Sequence, residues 1–149
     1  MDLVLTKVPR KCEVFNHYGP TETTIGVSTF KISKDVEWSS KNIPIGKPLP
    51  NVNIHILDKD LNEVTGGEDG ELYISGSLLA RGYLNNPKMT KEKFIFVKMN
   101  GKVRRLYRTG DIVRLLGDGN IQFIGRSDGQ IKIAGRRIEL GDIENNISQ

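Results

Sequence analysis

Ile112-Val113-Arg114-Leu115-Leu116-Gly117-Asp118-Gly119-Asn120-Ile121-Gln122-Phe123-Ile124 sets two short apolar runs on either side of a Gly-Asp-Gly-Asn turn. The runs are too short for helices, and the linking residues are those that reverse a chain. The same grammar extends outward in both directions. Downstream lies Ile131 to Ile133; upstream lie Leu106 to Thr109, Glu71 to Ser75 and Gly26 to Ile32. Val52, Ile54 and Ile56 alternate with Asn53 and His55, as a half-buried strand does. Asp58-Lys59-Asp60 and Gly66-Gly67-Glu68-Asp69-Gly70 supply further turns, and 16 glycines punctuate the whole chain. Regularly spaced short strands predict a mainly β fold, a barrel or a sandwich. Two helices are expected beside them. Pro87 to Phe94 opens with a proline suited to a first helical turn. Glu139 to Ile147 places Leu140, Ile143 and Ile147 on one face and is cut short by the end of the sequence.

The 149 residues suffice for a real core but not for a large multidomain enzyme. A hydrophobic fraction of 37% and a charged fraction of 27% fit a soluble globular chain. No apolar run approaches the roughly 20 residues of a membrane span, and the first residues do not read as a signal peptide. Cys12 is the single cysteine, so no internal disulfide forms, and a cytoplasmic location is expected. The net charge of +4 is spread among 18 acidic residues. Its densest cluster, Lys102 to Arg108, sits beside a predicted strand without base-stacking aromatics, so neither nucleic acid nor membrane is an expected partner.

Three stretches carry chemistry. In Asn16-His17-Tyr18-Gly19-Pro20-Thr21-Glu22, a strand ends in a tight turn that presents an aromatic face, a hydroxyl and a carboxylate to one ligand. A purine stacks on such a ring, and such a carboxylate can hold the magnesium that neutralises a triphosphate. Read by itself, the stretch is equally an ordinary glycine–proline turn. Tyr107-Arg108-Thr109-Gly110-Asp111 sets an acid just past a strand end and a glycine, where it could accept two hydrogen bonds from ribose hydroxyls or simply cap the backbone. The third stretch runs from Gly125 to Glu144 and reads alone as a charged hairpin followed by a helix start. Their co-occurrence in this order removes the bland alternatives.

Together with Gly70-Glu71-Leu72-Tyr73-Ile74-Ser75-Gly76 and Ala80-Arg81-Gly82-Tyr83-Leu84, the three stretches resemble the motifs of nonribosomal peptide synthetase adenylation domains. The resemblance runs from about Asn16 to Glu144. These domains belong to the adenylate-forming, AMP-binding ligases, a superfamily that includes acyl-CoA synthetases and luciferases. The resemblance implies a fragment with a distorted β-barrel subdomain over residues 1–127, then the hinge and first strands and helix of a small α+β lid over residues 128–149. It implies a parent reaction in which an amino acid and ATP give aminoacyl-AMP and pyrophosphate, followed by transfer to the phosphopantetheine thiol of a carrier protein. Fragments of an acyl-CoA or aryl-acid ligase, or of a D-alanine–carrier-protein ligase, are the neighbouring readings. A non-catalytic self-associating module is the reading from another class.

Carried over by motif position, the resemblance implies that Tyr18 stacks on adenine with Asn16 and Gly19 near its edge. Thr21 would meet the phosphates, and Glu22 would help hold Mg2+. Asp111 would bind both ribose hydroxyls, and Arg126 would lie near the α-phosphate and ribose. Phe123 stands where the family has a tyrosine near the ribose, keeping an apolar contact but no hydroxyl. His17, Ile25 and Gly26 would line the amino-acid pocket, Gly26 leaving one wall roomy, with simple packing an equal account of His17 and Ile25. Asp128 matches the hinge of the lid, and Gly135 matches a loop that lines the thiol tunnel.

The family's glycine- and threonine-rich phosphate loop, its amino-group-binding aspartate and its catalytic lysine have no counterparts in these 149 residues. Each such group is worth about 10²–10³ in rate, so the isolated chain is expected to be inactive. The barrel's docking face for its missing neighbours is expected to expose apolar surface and to favour self-association.

Overall fold

A computed structural model describes residues 8–9, 11–33 and 43–128, together with the backbone of strands Ile131–Ile133 and Arg136–Ile138. In chain order the elements are β1 (Val14–Tyr18), a 3-10 turn (Thr21–Thr23), β2 (Ser28–Ile32), β3 (Lys47–Pro48), β4 (Asn53–Leu57), β5 (Asp69–Ser75), α1 (Pro87–Lys93), β6 (Phe94–Met99), β7 (Lys102–Leu115), β8 (Ile121–Arg126), β9 (Ile131–Ile133) and β10 (Arg136–Ile138). The chain is thus mainly β with short helical pieces, as its turn chemistry predicts. The predicted helix over Glu139 to Ile147 lies outside the described residues.

Every strand pairing is antiparallel. A five-stranded sheet runs β4-β5-β7-β6, with β8 also on β7; β1-β2-β3 form a second sheet, and β9-β10 a separate pair. Strand β7 is long enough to serve two neighbours in succession. Its first half pairs with β6 over Lys102–Tyr107, and its second half pairs with β8 over Asp111–Leu115. The first two sheets meet where Ile45 N–H donates to Ile121 O (2.8 Å) and Ile121 N–H donates to Gly46 O (2.9 Å). The result is a curled half-barrel.

Its inner face buries Ile45, Leu72, Val113 and Ile121, against which Tyr18, Ile54, Ile56 and Leu115 pack. The opposite face buries Leu57, Tyr73, Met99 and Leu106 with Ile95 and Val97 beside them. Leu72 and Tyr73 fall in different clusters because successive strand residues face opposite ways. Each fully buried aliphatic side chain contributes about 1.5–3 kcal/mol of transfer free energy, so Leu57, Leu72, Ile74, Leu106 and Val113 anchor both faces.

Four local readings are corrected. Leu106 to Thr109 and Ile112 to Leu115 are one strand, β7, which runs through Gly110 and ends before Leu116; the Lys102–Arg108 cluster lies within it, and Asp111 sits inside it rather than past its end. The glycine permits this with φ +79°, in a bulge where the β5–β7 register shifts between Glu71 and Tyr73. The helix Pro87–Lys93 stops one residue short of expectation, because Phe94 is extended and begins β6. Strand β6 itself carries Phe94 to Met99 into a two-residue turn at Asn100-Gly101, both at positive φ. Strand β2 starts at Ser28 rather than Gly26, since Thr24 and Ile25 both have positive φ.

Candidate functional site

The end of β1 and the second half of β7 converge at one edge of the half-barrel. The Tyr18 ring packs at the margin of the inner core, and its hydroxyl donates to Asp111 Oδ2. The other oxygen of Asp111 accepts from Arg126 Nη1 at 2.6 Å. Arg126 is the last residue of β8, and strand pairing sets it directly opposite Asp111. Asp111 is 6% exposed, so this pair is charged, buried and mutually dependent.

Thr109 steadies the carboxylate from behind. Its Oγ1 donates to Leu72 O at 2.7 Å and accepts from the Asp111 backbone N–H at 2.9 Å. Burial first, and then the charge of Asp111, push the Tyr18 phenol far above its ordinary range, so it stays a neutral donor. Burial opposes the charge of Arg126, but hydrogen bonds to Asp128 and the charges of Asp111 and Asp128 hold the guanidinium above its usual value.

Other motif residues stand nearby in sequence but have their own partners. Asn16 Nδ2 donates to Pro44 O at 2.7 Å, tying β1 to the segment before β3. Gly19 must be glycine, because an added Cβ would lie 2.1 Å from Ile25 O. A Cβ at Gly26 would lie 2.1 Å from His17 Nε2, so the space expected to be roomy is filled by the His17 imidazole. Thr21 is exposed on the 3-10 turn, Ile25 is 78% exposed and Phe123 is 39% exposed. Gly135 lies outside the described residues.

Glu22 is buried in the same 3-10 turn. Tyr83 Oη donates to its Oε1 at 2.6 Å, and Ala80 N–H donates to its backbone carbonyl at 2.8 Å. Burial and then Glu22 raise the Tyr83 phenol well above its ordinary value, so it too remains a donor. Among the described residues no three His, Cys, Asp or Glu gather into a metal cluster. Glu22 is therefore not part of a metal cluster built by the described residues themselves.

Motif reading by itself misses Thr109, Tyr83 and Lys93. Thr109 and Tyr83 lie inside quoted motifs, but nothing local says which acid each one serves. Lys93 carries no motif at all, and it reaches Asp128 from 35 residues away.

A cleft of about 560 Å3 opens elsewhere, on the opposite face, lined among others by Leu57, Asp58, Glu71, Tyr73 and Arg108. Within it Arg108 forks onto Glu71, and Tyr73 Oη donates to Glu71 at 3.2 Å. The cleft does not include Tyr18, Asp111 or Arg126, the residues that the motifs bring together at the other edge. Among the described residues no helix is long and apolar enough to cross a membrane.

A half-barrel whose edge joins a tyrosine, a buried aspartate and an arginine from three ordered motifs defines a class, and comparison with known proteins names it. The sequence profile of the AMP-binding enzymes matches residues 3–84, more than half of the chain, and the chain belongs to that family. Within it, the comparisons support a fragment of a nonribosomal peptide synthetase adenylation domain. Bacitracin synthase 1 of Bacillus licheniformis is 52% identical over 138 residues, 91% of this chain and 2% of that protein. A solved NRPS protein containing adenylation and PCP domains superposes with a TM-score of 0.85 at 34% identity, covering 97% of this chain and 29% of that one. The N-terminal subdomain of NpsA from Klebsiella oxytoca, solved in complex with 3-hydroxybenzoyl-AMSN, gives a TM-score of 0.71 at 37% identity over 78% of this chain and 30% of that one. This chain thus spans a small part of the length of its curated relatives.

Proposed function

We propose that this chain forms one nucleotide-facing wall of an ATP-dependent amino-acid-activating adenylation domain. The parent reaction joins an amino acid carboxylate to the α-phosphate of ATP, releases pyrophosphate, and then passes the aminoacyl group to a carrier-protein phosphopantetheine thiol. The observation that carries the reading is the buried Asp111 carboxylate held between the Tyr18 hydroxyl and Arg126. A carboxylate has about four acceptor positions, so Asp111 can take ribose hydroxyls while keeping both partners. The titration of Tyr18 and the charge of Arg126 favour the same assignment: a neutral aromatic for the base and a fixed cation for the α-phosphate.

In this reading Asn16 and Gly19 shape the adenine edge, Thr21 meets the phosphates, and Phe123 lends apolar contact to the ribose. Glu22, oriented by the Tyr83 hydroxyl, would hold Mg2+, which would supply charge neutralisation on the phosphates. His17, Ile25 and Gly26 face the amino acid. Asp128 is the hinge between a barrel part (1–127) and a lid part (128–149), and Gly135 belongs to the thiol tunnel. The partner is a carrier-protein domain, in keeping with the adenylation–PCP proteins it resembles.

The chain by itself contributes binding without turnover. Adding AMP to the 15N-labelled chain is expected to shift resonances of Tyr18 and Asp111 and to leave those lining the Glu71–Arg108 cleft in place. Shifts confined to the cleft would reverse the assignment. Amino-acid-dependent ATP–pyrophosphate exchange is expected to stay at the level of a heat-killed control, and any excess would overturn the inactivity of the isolated chain.

A further inference from the structure

Asp128 comes two residues after the end of β8, and the next strand, β9, belongs to a different sheet, so Asp128 stands at the junction between two sheets. Its carboxylate is held by two cations from two different elements. Arg126 donates from Nε to Oδ1 at 2.8 Å and from Nη2 to Oδ2 at 2.7 Å. Lys93, the last residue of α1, brings its Nζ to 3.3 Å from Oδ2. The Lys93 side chain is 15% exposed and that of Asp128 26% exposed, which weakens screening by solvent. The other two lysines of that helix, Lys88 and Lys91, are exposed.

Gly110 makes the arrangement possible. A Cβ there would lie 2.6 Å from Asp128 Oδ2 and 2.7 Å from Arg126 Nη2. The Arg126–Asp128 pair therefore rests directly on the backbone of β7, one residue before Asp111. Ser127 completes the seat by donating its N–H to Gly110 O at 2.8 Å.

Arg126 is shared. Besides its two bonds to Asp128 it gives Nη1 to Asp111 and Nη2 to Thr109 O at 3.1 Å. A guanidinium has five N–H groups, and these contacts commit four of them. One N–H remains, so an anionic group that takes two or more bonds from Arg126 must compete with Asp128, Asp111 or the Thr109 carbonyl. We propose that Arg126 and Lys93 form a two-cation clamp on Asp128, and that a nucleotide phosphate drawing on Arg126 loosens the clamp, leaving Asp128 on Lys93. Lys93 is then a positioning residue for the junction. The loosening step rests on the nucleotide reading above; the clamp itself does not.

Native-state hydrogen exchange of the full 149-residue chain tests both parts, because the Ser127 amide is protected by its bond to Gly110 and opens with the junction. Lys93→Met is expected to speed Ser127 exchange about fivefold, the scale of one modest ion pair, while amides of the β6–β7 hairpin keep their rates. Lys93→Arg is expected to restore protection. Unchanged Ser127 exchange in Lys93→Met, or acceleration spread evenly through β6–β7, overturns the clamp. Saturating AMP on the unmodified chain is expected to speed Ser127 exchange by a similar factor. If AMP shifts Tyr18 and Asp111 but leaves Ser127 unchanged, the coupling is wrong while the nucleotide reading stands. If AMP shifts neither residue, the nucleotide reading and the loosening step fall together, and the Lys93 variants still decide the clamp.

Discussion

Tyr18, Asp111 and Arg126 have the same three side-chain chemistries as Tyr73, Glu71 and Arg108; Tyr18 packs against one core cluster and Tyr73 belongs to the other. In the second trio Arg108 spends its fork on a single carboxylate, with Nε 2.8 Å from Glu71 Oε1 and Nη2 2.9 Å from Oε2. Its side chain is 45% exposed, so water shares the charge. In the first trio Arg126 is 18% exposed and divides its donors among Asp111, Asp128 and the Thr109 carbonyl. A closed pair is a strut across two strands. An arginine divided between two carboxylates can be redistributed by a ligand, and that unequal count of charges, rather than residue type or cavity size, separates a site from a brace.

The largest test of this contrast is removal of each arginine. Arg126→Ala leaves the buried Asp111 carboxylate without its cation and is expected to cost about 3 kcal/mol in urea unfolding. Arg108→Ala is expected to cost about 1 kcal/mol or less, because its pair is wetter. Equal losses would erase the distinction.

The tyrosines give a smaller difference. Tyr18→Phe removes a donor to a buried charge and is expected to cost about 1.5–2 kcal/mol, against about 0.5–1 kcal/mol for Tyr73→Phe, whose bond is 3.2 Å long. A reversed order would mean that Asp111 does not depend on Tyr18.

Alkaline titration sharpens the comparison further. Burial, followed by the charge of Glu71, pushes Tyr73 up to about 12 from 10.0. A phenol with a raised folded-state pKa contributes stability that is fully present below the unfolded pKa and is lost as pH climbs from about 10 to about 12. The difference in stability between the unmodified chain and Tyr73→Phe is therefore expected to shrink across that window; a constant difference would show that Tyr73 ionises normally.

The smallest expected effect is association. Phe15 (51% exposed), Phe96 (70%) and Val103 (68%) leave apolar surface open, so weak self-association is expected in sedimentation at high concentration. A strictly monomeric chain there would count against it.

Much of the fold was legible because turns obey local rules. Asp118 accepts from Asn120 N–H at 2.9 Å, and Asp58 accepts from Asp60 and Asn62 N–H at 2.8 and 2.9 Å, just where the loops were read. Strand β6 lies outside the expected strands although its signal is present: Asn100-Gly101 is a strong two-residue hairpin turn after the apolar run Phe94 to Val97. Strand β7 was split because a glycine ordinarily ends a strand, and nothing local reveals that Leu72 will stand opposite a bulge there.

Sequence by itself determined most of the reversals, several of the strands and the family, because glycine, proline and Asx conformations are set within a few residues and the motifs are contiguous. It also brought Tyr18, Asp111, Arg126 and Asp128 to notice one by one. Only the tertiary structure decided that Arg126 serves two acids, that Tyr83 holds Glu22 across 61 residues, and that Lys93 reaches Asp128 across 35. The Arg126–Asp111 contact follows from strand register, the Arg126–Asp128 pair from the open space over Gly110, and the other two from how the helix, the 3-10 turn and the loops pack on the sheet. Register is a property of paired strands, and no single stretch of chain contains it.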